Sequence, residues 1–435
     1  MNKKMLFINC IAIIIILTAF NPVKGVNNTN ISMINSETLI FSGNILYVGG
    51  NGPGNYSKIQ DAIENASDTD TVFVYSYSSP YFENIVINVT INLVGESRYN
   101  TVIDAERSGH VVVINSYGVK ISGFTIRNGG GLGGTGIRIK SDNCEIFQNN
   151  ISANNWYGIY VSSSYNTFLE NDISDNDFGI WLGGHSNNFI HDCQIMDNSN
   201  GIVLDRSSHN NISRNNITFN SRGVDLYYNS KHNEIFNNFV DGNPWGIGLY
   251  SNYGSTCYNV IKRNIVSNGK GGIELQGKSS GILSYNIVTE NNVTNNEGGI
   301  LLRHYTSNNV IYHNNLINNI NPWSEEPNNA FDYGVDNLWY NITLEEGNYW
   351  DDYKEKYPYS RPRLTRPWIW NMPYTIEGEG GGKDKFPLVK EYDESICINI
   401  QQLQSISQKS FSNQQQSYQS QQTSQQPTSQ TTKQV

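Results

Sequence analysis

The sequence has little charge and no excess of basic residues. Only 16% of its 435 residues are Asp, Glu, Lys or Arg, and 29 basic against 39 acidic residues give a formal net charge of −10. A nucleic-acid-binding face needs clustered Lys and Arg to neutralise phosphates, so we expect no nucleic-acid partner. The 27 Tyr, 8 Trp and 16 Phe are too many for a disordered chain and indicate a folded protein.

Cysteine is also scarce, with five residues in the whole chain. Cys144, Cys193, Cys257 and Cys397 are widely scattered, whereas structural zinc sites and disulfide-bonded domains have characteristic Cys spacings, so neither is predicted. The abundant residues are instead Asn, with 63, and Gly, with 39. Both tolerate left-handed backbone, and Asn bonds to its own turn, so the composition predicts many tight corners and few helices.

The N-terminus has the pattern of an export signal. Lys3 and Lys4 precede an apolar run from Leu6 to Leu17, and this order is typical of secretory signal peptides. The run is short for a bilayer span of about 20 residues, although an uncleaved anchor is the alternative. We predict a signal peptide at 1–25, a linker at 26–44 and a secreted, extracellular or cell-surface location. Ten Asn-x-Ser/Thr sequons are candidate glycosylation sites in an exported chain.

A repeat of about 22 residues dominates the middle of the chain. The string Gly-(Ile/Val)-x-aliphatic begins at Gly136, Gly158, Gly179, Gly201, Gly223, Gly246, Gly272 and Gly299. Short Asn-led pieces with apolar ends lie between these strings, so each repeat holds about three short strands. Alternation within Gly-Ile-x-Leu points Ile and Leu towards one side, where stacked repeats bury them. The repeat therefore predicts an all-β, right-handed parallel β-helix of about ten to eleven coils over residues 45–345.

The recurring Asn residues are expected at the corners of the coils. An Asn amide can bond both its own turn and the equivalent Asn of the next coil, so we predict side-chain ladders with a structural role. Ser57 can cap a short helix that carries Ile59, Ala62 and Ile63 on one side and covers the first coil. An aromatic cap at 346–392 should cover the last coil, and a Gln/Ser-rich tail at 393–435 should be disordered.

Several motifs resemble those of a known family. Gln60-Asp-Ala-Ile63, Thr71-Val-Phe-Val74 and Asn92-Leu-Val-Gly95 resemble the pectin-lyase-like parallel β-helix superfamily. The sequence looks closest to the NosD-like periplasmic copper-binding proteins and archaeal surface β-helix proteins. The motifs shared with those proteins are Gly347-Asn-Tyr-Trp-Asp-Asp-Tyr353, Pro373-Tyr-Thr-Ile376 and Asp384-Lys-Phe-Pro-Leu388. The resemblance spans about residues 45–392, and it specifies the fold strongly and the function poorly.

The outward residues of the repeat suggest a glycan-binding face. The stripe two residues after each repeat Gly should be exposed, and it reads Arg138, Tyr160, Trp181, Val203, Asp225, Gly248, Glu274 and Leu301. Aromatic rings beside carboxylates and Arg suit sugars, because rings stack on pyranose faces and polar groups fix hydroxyls. Strand-forming scaffold is the alternative explanation for these rings. The predicted glycan-binding residues are Tyr160, Trp181, Asp205, Asp225, Tyr227, Tyr250, Glu274 and Arg303.

A polysaccharide lyase or glycoside hydrolase is the first alternative to non-catalytic binding. Asp205, Asp225 and Glu274 are the candidate catalytic residues. Asp225 and Glu274 should share a column two coils apart, at roughly 9.6 Å, close to the separation of roughly 6.5–9.5 Å in inverting glycosidases. The hydrolase, esterase and epimerase signatures of the superfamily are not recognisable, and Arg138-Ile-Lys140 matches a polygalacturonase tripeptide without its companion elements. We therefore favour a non-catalytic protein with a polysaccharide or surface glycan as partner and a possible association with the cell envelope.

A copper-handling accessory protein is the second alternative. His209 and His232 each precede a corner Asn in adjacent repeats, so their imidazoles should lie one coil apart, and His is a suitable ligand for Cu(II) or Zn. No Met or Cys joins them from a matching position. Many relatives carry an acidic loop suited to Ca where this chain has the Pro, Arg and Trp residues of 357–370. No cofactor is therefore predicted from a specific motif.

Overall fold

The computed structural model describes residues 43–322 and 328–392, which belong to one compact unit. The predicted signal peptide, nearly all of the linker and the predicted tail lie outside the described residues. Within the described residues no helix is long and apolar enough to cross a membrane.

Three long parallel sheets form the body of this unit, and the chain visits them in turn. The first sheet has the strands Ile45–Val48, Thr71–Val74, Asn92–Gly95, Lys120–Ser122, Glu145–Phe147, Thr167–Leu169, Phe189–His191, Asn211–Ser213, Glu234–Phe236, Val260–Lys262, Ile287–Thr289 and Val310–Tyr312. The second has Tyr81–Phe82, Val102–Asp104, Thr125–Arg127, Asn150–Ser152, Asp172–Ser174, Gln194–Met196, Asn216–Thr218, Phe239–Asp241, Ile265–Ser267, Asn292–Thr294, Asn315–Ile317 and Tyr349–Trp350. The third has Ile85–Ile87, Val112–Ile114, Thr135–Ile139, Tyr157–Val161, Phe178–Gly183, Asn200–Asp205, Arg222–Tyr227, Trp245–Ser251, Gly271–Gly277, Ile300–Leu302 and Ala330–Asp332.

Smaller elements complete the described chain. Three strands form a short extra sheet beside the later coils, Gly254–Cys257, Gly281–Ser284 and Thr306–Ser307, and Tyr374–Thr375 pairs antiparallel with Lys383–Asp384. The helices are Ile59–Glu64 and Tyr353–Lys356, with a 3-10 turn at Ser76–Ser78. The predicted all-β parallel solenoid is confirmed. It has about twelve coils rather than ten to eleven, because the first coils lack the Gly-Ile string that marks the later ones.

The interior is an in-register stack of aliphatic side chains. Ile159, Ile180 and Ile202 occupy equivalent positions of consecutive coils in the third sheet, and all are fully buried. No single coil could enclose these side chains, so the coils stabilise one another by burying a common core. The inward direction predicted for the aliphatic residues of the repeat is confirmed.

Three ladders of buried Asn residues run along the corners, as predicted. In each ladder an Asn amide nitrogen donates to the Oδ1 atom of the next Asn at 2.9–3.2 Å. In one ladder Cys193 replaces an Asn, and its Sγ atom lies 4.0 Å from Nδ2 of Asn171. Since buried polar groups need partners, the ladders account for much of the Asn content without any role in ligand binding.

Each end of the stack is covered. Ile59, Ala62 and Ile63 of the first helix are buried over the first coils. The helix begins after Lys58, which makes no side-chain cap bond. The predicted cap by Ser57 is therefore wrong, because the Glu83 carboxylate of a neighbouring coil accepts the Ile59 and Gln60 amides at 2.8 and 3.0 Å.

At the C-terminal end, Asp384 terminates one Asn ladder. Its fully buried carboxylate accepts the Asn348 amide at 2.7 Å, the Trp350 indole at 2.9 Å and the Phe386 amide at 2.9 Å. Burial raises the pKa of Asp384 to about 7, although these donors oppose the rise. A Cβ atom on Gly347 would lie 1.8 Å from Oδ1 of Asp384, so this position requires Gly. The Gly-Asn-Tyr-Trp and Asp-Lys-Phe-Pro motifs therefore close the stack.

Candidate functional site: the outer face of the third sheet

The outer face of the third sheet carries three columns of side chains, in register from coil to coil. The first column contains Tyr157, Phe178, Asn200, Arg222 and Trp245. The second contains Arg138, Tyr160, Trp181, Val203, Asp225, Gly248 and Glu274, and the third contains Gly183, Asp205, Tyr227, Tyr250 and Gln276. All eight predicted glycan-binding residues lie on this face or, for Arg303, directly after a strand of it.

Four half-buried rings form a cluster at one end of the face, which we call the aromatic platform: Tyr157, Tyr160, Phe178 and Trp181. The Tyr157 ring stacks on Phe178 with centroids 5.2 Å apart and contacts Tyr160 at 5.0 Å and Trp181 at 5.8 Å. The edge-to-face contact of Phe178 with Trp181 is 4.9 Å. Tyr160 and Trp181 are neighbours in register, as predicted from the repeat. Trp156 adjoins Tyr157 and is 39% exposed, so part of this apolar surface is open to solvent.

A network of charged and phenolic groups occupies the next coils. The Arg222 guanidinium donates to the Asp225 carboxylate, and the Tyr227 hydroxyl donates to the same carboxylate at 2.9 Å. The Arg222 guanidinium also lies over the rings of Tyr250, at 4.8 Å, and Trp245, at 5.9 Å. Burial raises the pKa of Asp225, and Arg222 and Tyr227 partly offset this rise. Burial likewise raises the pKa of Tyr227, so its hydroxyl remains a hydrogen-bond donor.

Glu274 forms the second half of the network. Its Oε2 atom accepts the Tyr250 hydroxyl at 3.0 Å, and its Oε1 atom accepts Nε of Arg303 at 2.9 Å. The Tyr250 ring stacks on Tyr227 with centroids 5.3 Å apart. The two carboxylates are therefore linked through a pair of stacked phenols, each of which donates to one carboxylate. Burial raises the pKa of Tyr250 as well.

The expectation that the whole second column is exposed is wrong. Asp225 is 1% exposed, Glu274 is 7% exposed and Val203 is fully buried, although these side chains point away from the core. The cause is the size of the flanking residues, because a Cβ atom on Gly248 would lie 2.3 Å from the Tyr250 ring, which crosses this column. The accessible part of the face is therefore the aromatic platform and the edges of the network.

The candidate catalytic carboxylates are brought together only in part. Asp225 and Glu274 share a column two coils apart, with Gly248 between them, as the repeat predicts. Asp205 lies in the adjacent column beside Tyr227, and both of its oxygens accept from Arg206 at 3.1 Å. A general acid or base must reach its substrate, and Asp225 lies beneath the residues that bond it.

The candidate metal ligands His209 and His232 are adjacent but do not form a metal site. Their rings are stacked with centroids 4.8 Å apart and an angle of 7° between the planes, and Tyr258 and Tyr285 continue the stack. Parallel imidazoles have parallel lone pairs, so they do not converge on one ion. Over the ranges 43–322 and 328–392, no group of three or more His, Cys, Asp or Glu could hold a metal. The residues therefore do not fit a bound copper ion.

The prediction from sequence missed the first column. Tyr157, Phe178, Arg222 and Trp245 each immediately precede a repeat Gly, and they supply two rings of the platform and the guanidinium that neutralises Asp225. Their common position was a usable signal. Strict alternation back from the inward Ile159 would place Tyr157 inside, but Gly158 and Ile159 are both buried, so the alternation breaks at the Gly and Tyr157 faces outwards.

Comparisons with known proteins agree with this architecture. A family model described as a right handed beta helix region matches residues 109–259, and the model of the periplasmic copper-binding protein NosD matches residues 240–355. The chain resembles the pectin-lyase-like right-handed β-helices. The resemblance predicted from the motifs is thus confirmed, including its NosD-like part. His209 and His232 both lie outside the residues that match NosD. No curated protein sequence matches the chain.

The chain also aligns with solved structures at low identity. The Dettilon tailspike protein aligns with a TM-score of 0.55 and 16% identity, over 70% of this chain and 68% of that one. The A-module of a mannuronan C-5 epimerase from Azotobacter vinelandii aligns at 0.46 and 15% identity, over 64% of this chain and 94% of that one. Pectate lyase Pel9A aligns at 0.39 and 14%, over 60% and 78% of the two chains. The match to the tailspike shows the fold alone.

Proposed function

We propose that this protein binds a polysaccharide or surface glycan on the outer face of the third sheet, without cleaving it. The observation that carries the proposal is the aromatic platform, in which Tyr157, Tyr160, Phe178 and Trp181 stand in register on two adjacent coils. A pyranose ring has one less polar face, and stacking that face on aromatic rings removes apolar surface from water. Asp205, Tyr227 and Arg303 lie along the same face, where their partly exposed polar groups can bond sugar hydroxyls.

Retention on immobilised polysaccharides tests the proposal. We expect Trp181→Ala to weaken retention about tenfold, because a stacked ring contributes on the order of 1 kcal/mol. Trp181→Phe should retain most of the binding, since the ring face is kept. Tyr285→Ala is the control, because Tyr285 is an even more exposed ring, 52% accessible, in the His209 stack and away from the aromatic platform. If the control weakens retention as much as Trp181→Ala, or if a Tyr160→Ala/Trp181→Ala double variant binds normally, the platform is scaffold.

The lyase or hydrolase alternative requires an accessible carboxylate. Asp225 is 1% exposed beneath Arg222 and Tyr227, and Glu274 is only 7% exposed, so the partly exposed Asp205 is the most accessible of the three carboxylates. An enzyme should release reducing ends or unsaturated products from a polysaccharide that the protein retains. Product formation that is lost in Asp205→Asn would replace the binding proposal with catalysis.

Export to the cell exterior belongs to the same proposal, because surface glycans lie outside the cell. Among the described sequons, Asn65 and Asn88 are exposed, whereas Asn150 and Asn211 lie partly buried in strands of the second and first sheets. We expect mass spectrometry of the mature protein to find residues 1–25 missing and any N-glycan at Asn65 or Asn88. Intact Met1 on cytoplasmic protein would contradict export.

A further inference from the structure

An open pocket lies beside the aromatic platform, in the turns that follow three strands of the third sheet. It is lined by Arg206, Tyr228, Asn229 and Tyr253. The strands before these turns are Asn200–Asp205, Arg222–Tyr227 and Trp245–Ser251. The pocket therefore begins one coil beyond the coil of Trp181 and extends to the third coil beyond it. Its volume of about 350 Å³ is within the range of small-molecule sites.

Two tyrosine rings form part of the pocket wall. The Tyr228 ring stacks on Tyr253 with centroids 6.4 Å apart and an angle of 23° between the planes. Tyr228 also contacts Tyr227 of the neighbouring network, with centroids 5.8 Å apart. Tyr253 is 68% exposed, so most of its ring is open to solvent. An exposed ring that is held in a pocket suits the less polar face of a sugar.

The polar groups of the pocket are fixed in position and carry no net charge. Oδ1 of Asn229 accepts the Ser255 amide at 2.8 Å, and no described residue accepts a hydrogen bond from its Nδ2 atom. A Cβ atom on Gly254 would lie 2.1 Å from this oxygen, so the close approach of Asn229 requires Gly. The Arg206 guanidinium donates to both oxygens of Asp205 at 3.1 Å, which neutralises its charge. These groups suit the hydroxyls of an uncharged sugar.

Arg206 also lies close to the aromatic platform. The pKa of this residue is raised mainly by its hydrogen bond to Asp205, and the Tyr228 and Tyr160 phenols add to the rise. Charge effects between exposed groups fade with distance because solvent and salt screen them. The guanidinium therefore lies near one phenol of the pocket and one phenol of the platform.

The surface between the platform and the pocket is formed by two glycines, Gly183 and Gly184. Gly183 is in register with Asp205 in the third column. A Cβ atom on Gly183 would lie 3.3 Å from the Tyr160 hydroxyl and 3.4 Å from Nε1 of Trp181, so a side chain here would cover both donors. The backbone of Gly183 is not left-handed and does not itself require Gly. A Cβ atom on Gly184 would meet no atom within 4 Å. The surface is therefore open from the platform to the pocket.

We propose that this pocket is a second sugar subsite, which binds an uncharged unit of the same glycan chain that stacks on Trp181. The inference rests on the proposed glycan binding and adds the length of the ligand. The coils of Trp181 and Tyr253 are three steps apart, or about 14 Å at a coil spacing of about 4.8 Å. This distance is longer than one pyranose ring. The site therefore takes a chain of several sugar units rather than a single sugar.

Calorimetric titration with neutral oligosaccharides of two lengths tests this inference. The probes are the disaccharides and hexasaccharides of the manno-, xylo-, cello- and chito-oligosaccharide series. We expect the unchanged protein to bind the hexasaccharide of at least one series about tenfold more tightly than its disaccharide, because only the longer chain reaches the Tyr253 ring. Tyr253→Ala should remove this advantage and leave binding of the disaccharide unchanged. Tyr253→Phe should keep the advantage, because the ring remains.

Tyr117→Ala is the matched control, because Tyr117 is 60% exposed in the turn after Val112–Ile114, a strand of the same sheet many coils from the pocket. It should bind both lengths like the unchanged protein. The second subsite is refuted if Tyr253→Ala keeps the advantage of the hexasaccharide, or if it weakens binding of both lengths equally.

The second subsite and the proposed function can fail separately. Binding that is lost in Trp181→Ala and unaffected by Tyr253→Ala would refute the pocket and leave glycan binding on the platform intact. If the unchanged protein binds no neutral series but is retained on another polysaccharide, the uncharged subsite is refuted alone. If it binds no series and is retained on no polysaccharide, both proposals are wrong.

Discussion

Removing one Asn from the middle of a ladder should destabilise the β-helix strongly. Asn238 is fully buried, and its Nδ2 atom donates to the Ile212 carbonyl at 2.9 Å, to the Phe236 carbonyl at 3.2 Å and to Asn264 at 3.0 Å. Its Oδ1 atom accepts the backbone amide and the side-chain amide of Asn215, both at 3.0 Å. Asn238→Ala therefore removes five hydrogen bonds at once.

The magnitude follows from the groups that lose a partner. The Asn215 backbone amide loses its acceptor, and the Ile212 carbonyl loses a donor, at a buried corner that water cannot reach. An unpaired buried polar group costs about 1–3 kcal/mol, so two such groups and the small cavity should cost about 3–5 kcal/mol. Asn155→Ala is the control, because Asn155 is exposed and should change stability by less than about 0.5 kcal/mol.

Urea unfolding followed by far-UV circular dichroism measures the difference. We expect the midpoint for Asn238→Ala to fall well below that for Asn155→Ala. Coil stacks can lose cooperativity when one coil weakens, so a broadened or two-step transition in Asn238→Ala alone would also fit the reasoning. Equal midpoints for the two variants, with equally steep transitions, would refute it and leave the ladders without energetic importance.

Two further predictions concern departures from the Asn ladder. Cys193→Asn should stabilise the protein by about 1 kcal/mol and raise the urea midpoint, because an amide replaces the weak sulfur contact with Asn171. Cys193→Ser is the control and should not raise the midpoint. The folded-state pKa of Asp384 is about 7, against an ordinary value of 3.8. The protonated Asp384 carboxyl therefore stabilises the folded state fully below its ordinary pKa of 3.8, and this stabilisation is lost progressively as the pH rises from there to about 7. The melting temperature should fall over that range, and Asp384→Asn should abolish the fall.

The coil architecture was predictable because the residues that determine it are close together in the sequence and recur with a regular period. The string that begins at Gly201 recurs in eight coils, and the period-two alternation from Ile202 to Leu204 points both side chains to the core. The Asn ladders were predictable for the same reason, since an Asn such as Asn238 recurs at one position of each corner. Because the period is regular, the orientation of a residue in one coil predicts the orientation of the equivalent residue in the neighbouring coils.

The candidate site was predictable only in part, because outward side chains have no common inner environment. Asp225 follows the same alternation as Tyr160, yet it is buried, since Arg222, Tyr227 and Tyr250 are long enough to fold across it. That outcome depends on the sizes of residues in three columns and two coils. The cap of the first helix was mispredicted for the same reason, because the carboxylate that accepts its first amides belongs to Glu83, more than twenty positions away in the sequence.

The residues that make this chain recognisable are therefore distinct from those of the proposed glycan-binding face. Gly347, Asn348 and Asp384 belong to the motifs shared with NosD-like proteins, and in this structure they close the core and end a ladder. Trp181 belongs to no such motif, yet it stands on a surface where a ligand could reach it. Stacking constrains the inward and corner residues of a β-helix, whereas it places no such constraint on the side chains of the outward columns. A match to a β-helix model is for this reason strong evidence for the coils, and the proposed binding must be tested in the outward columns.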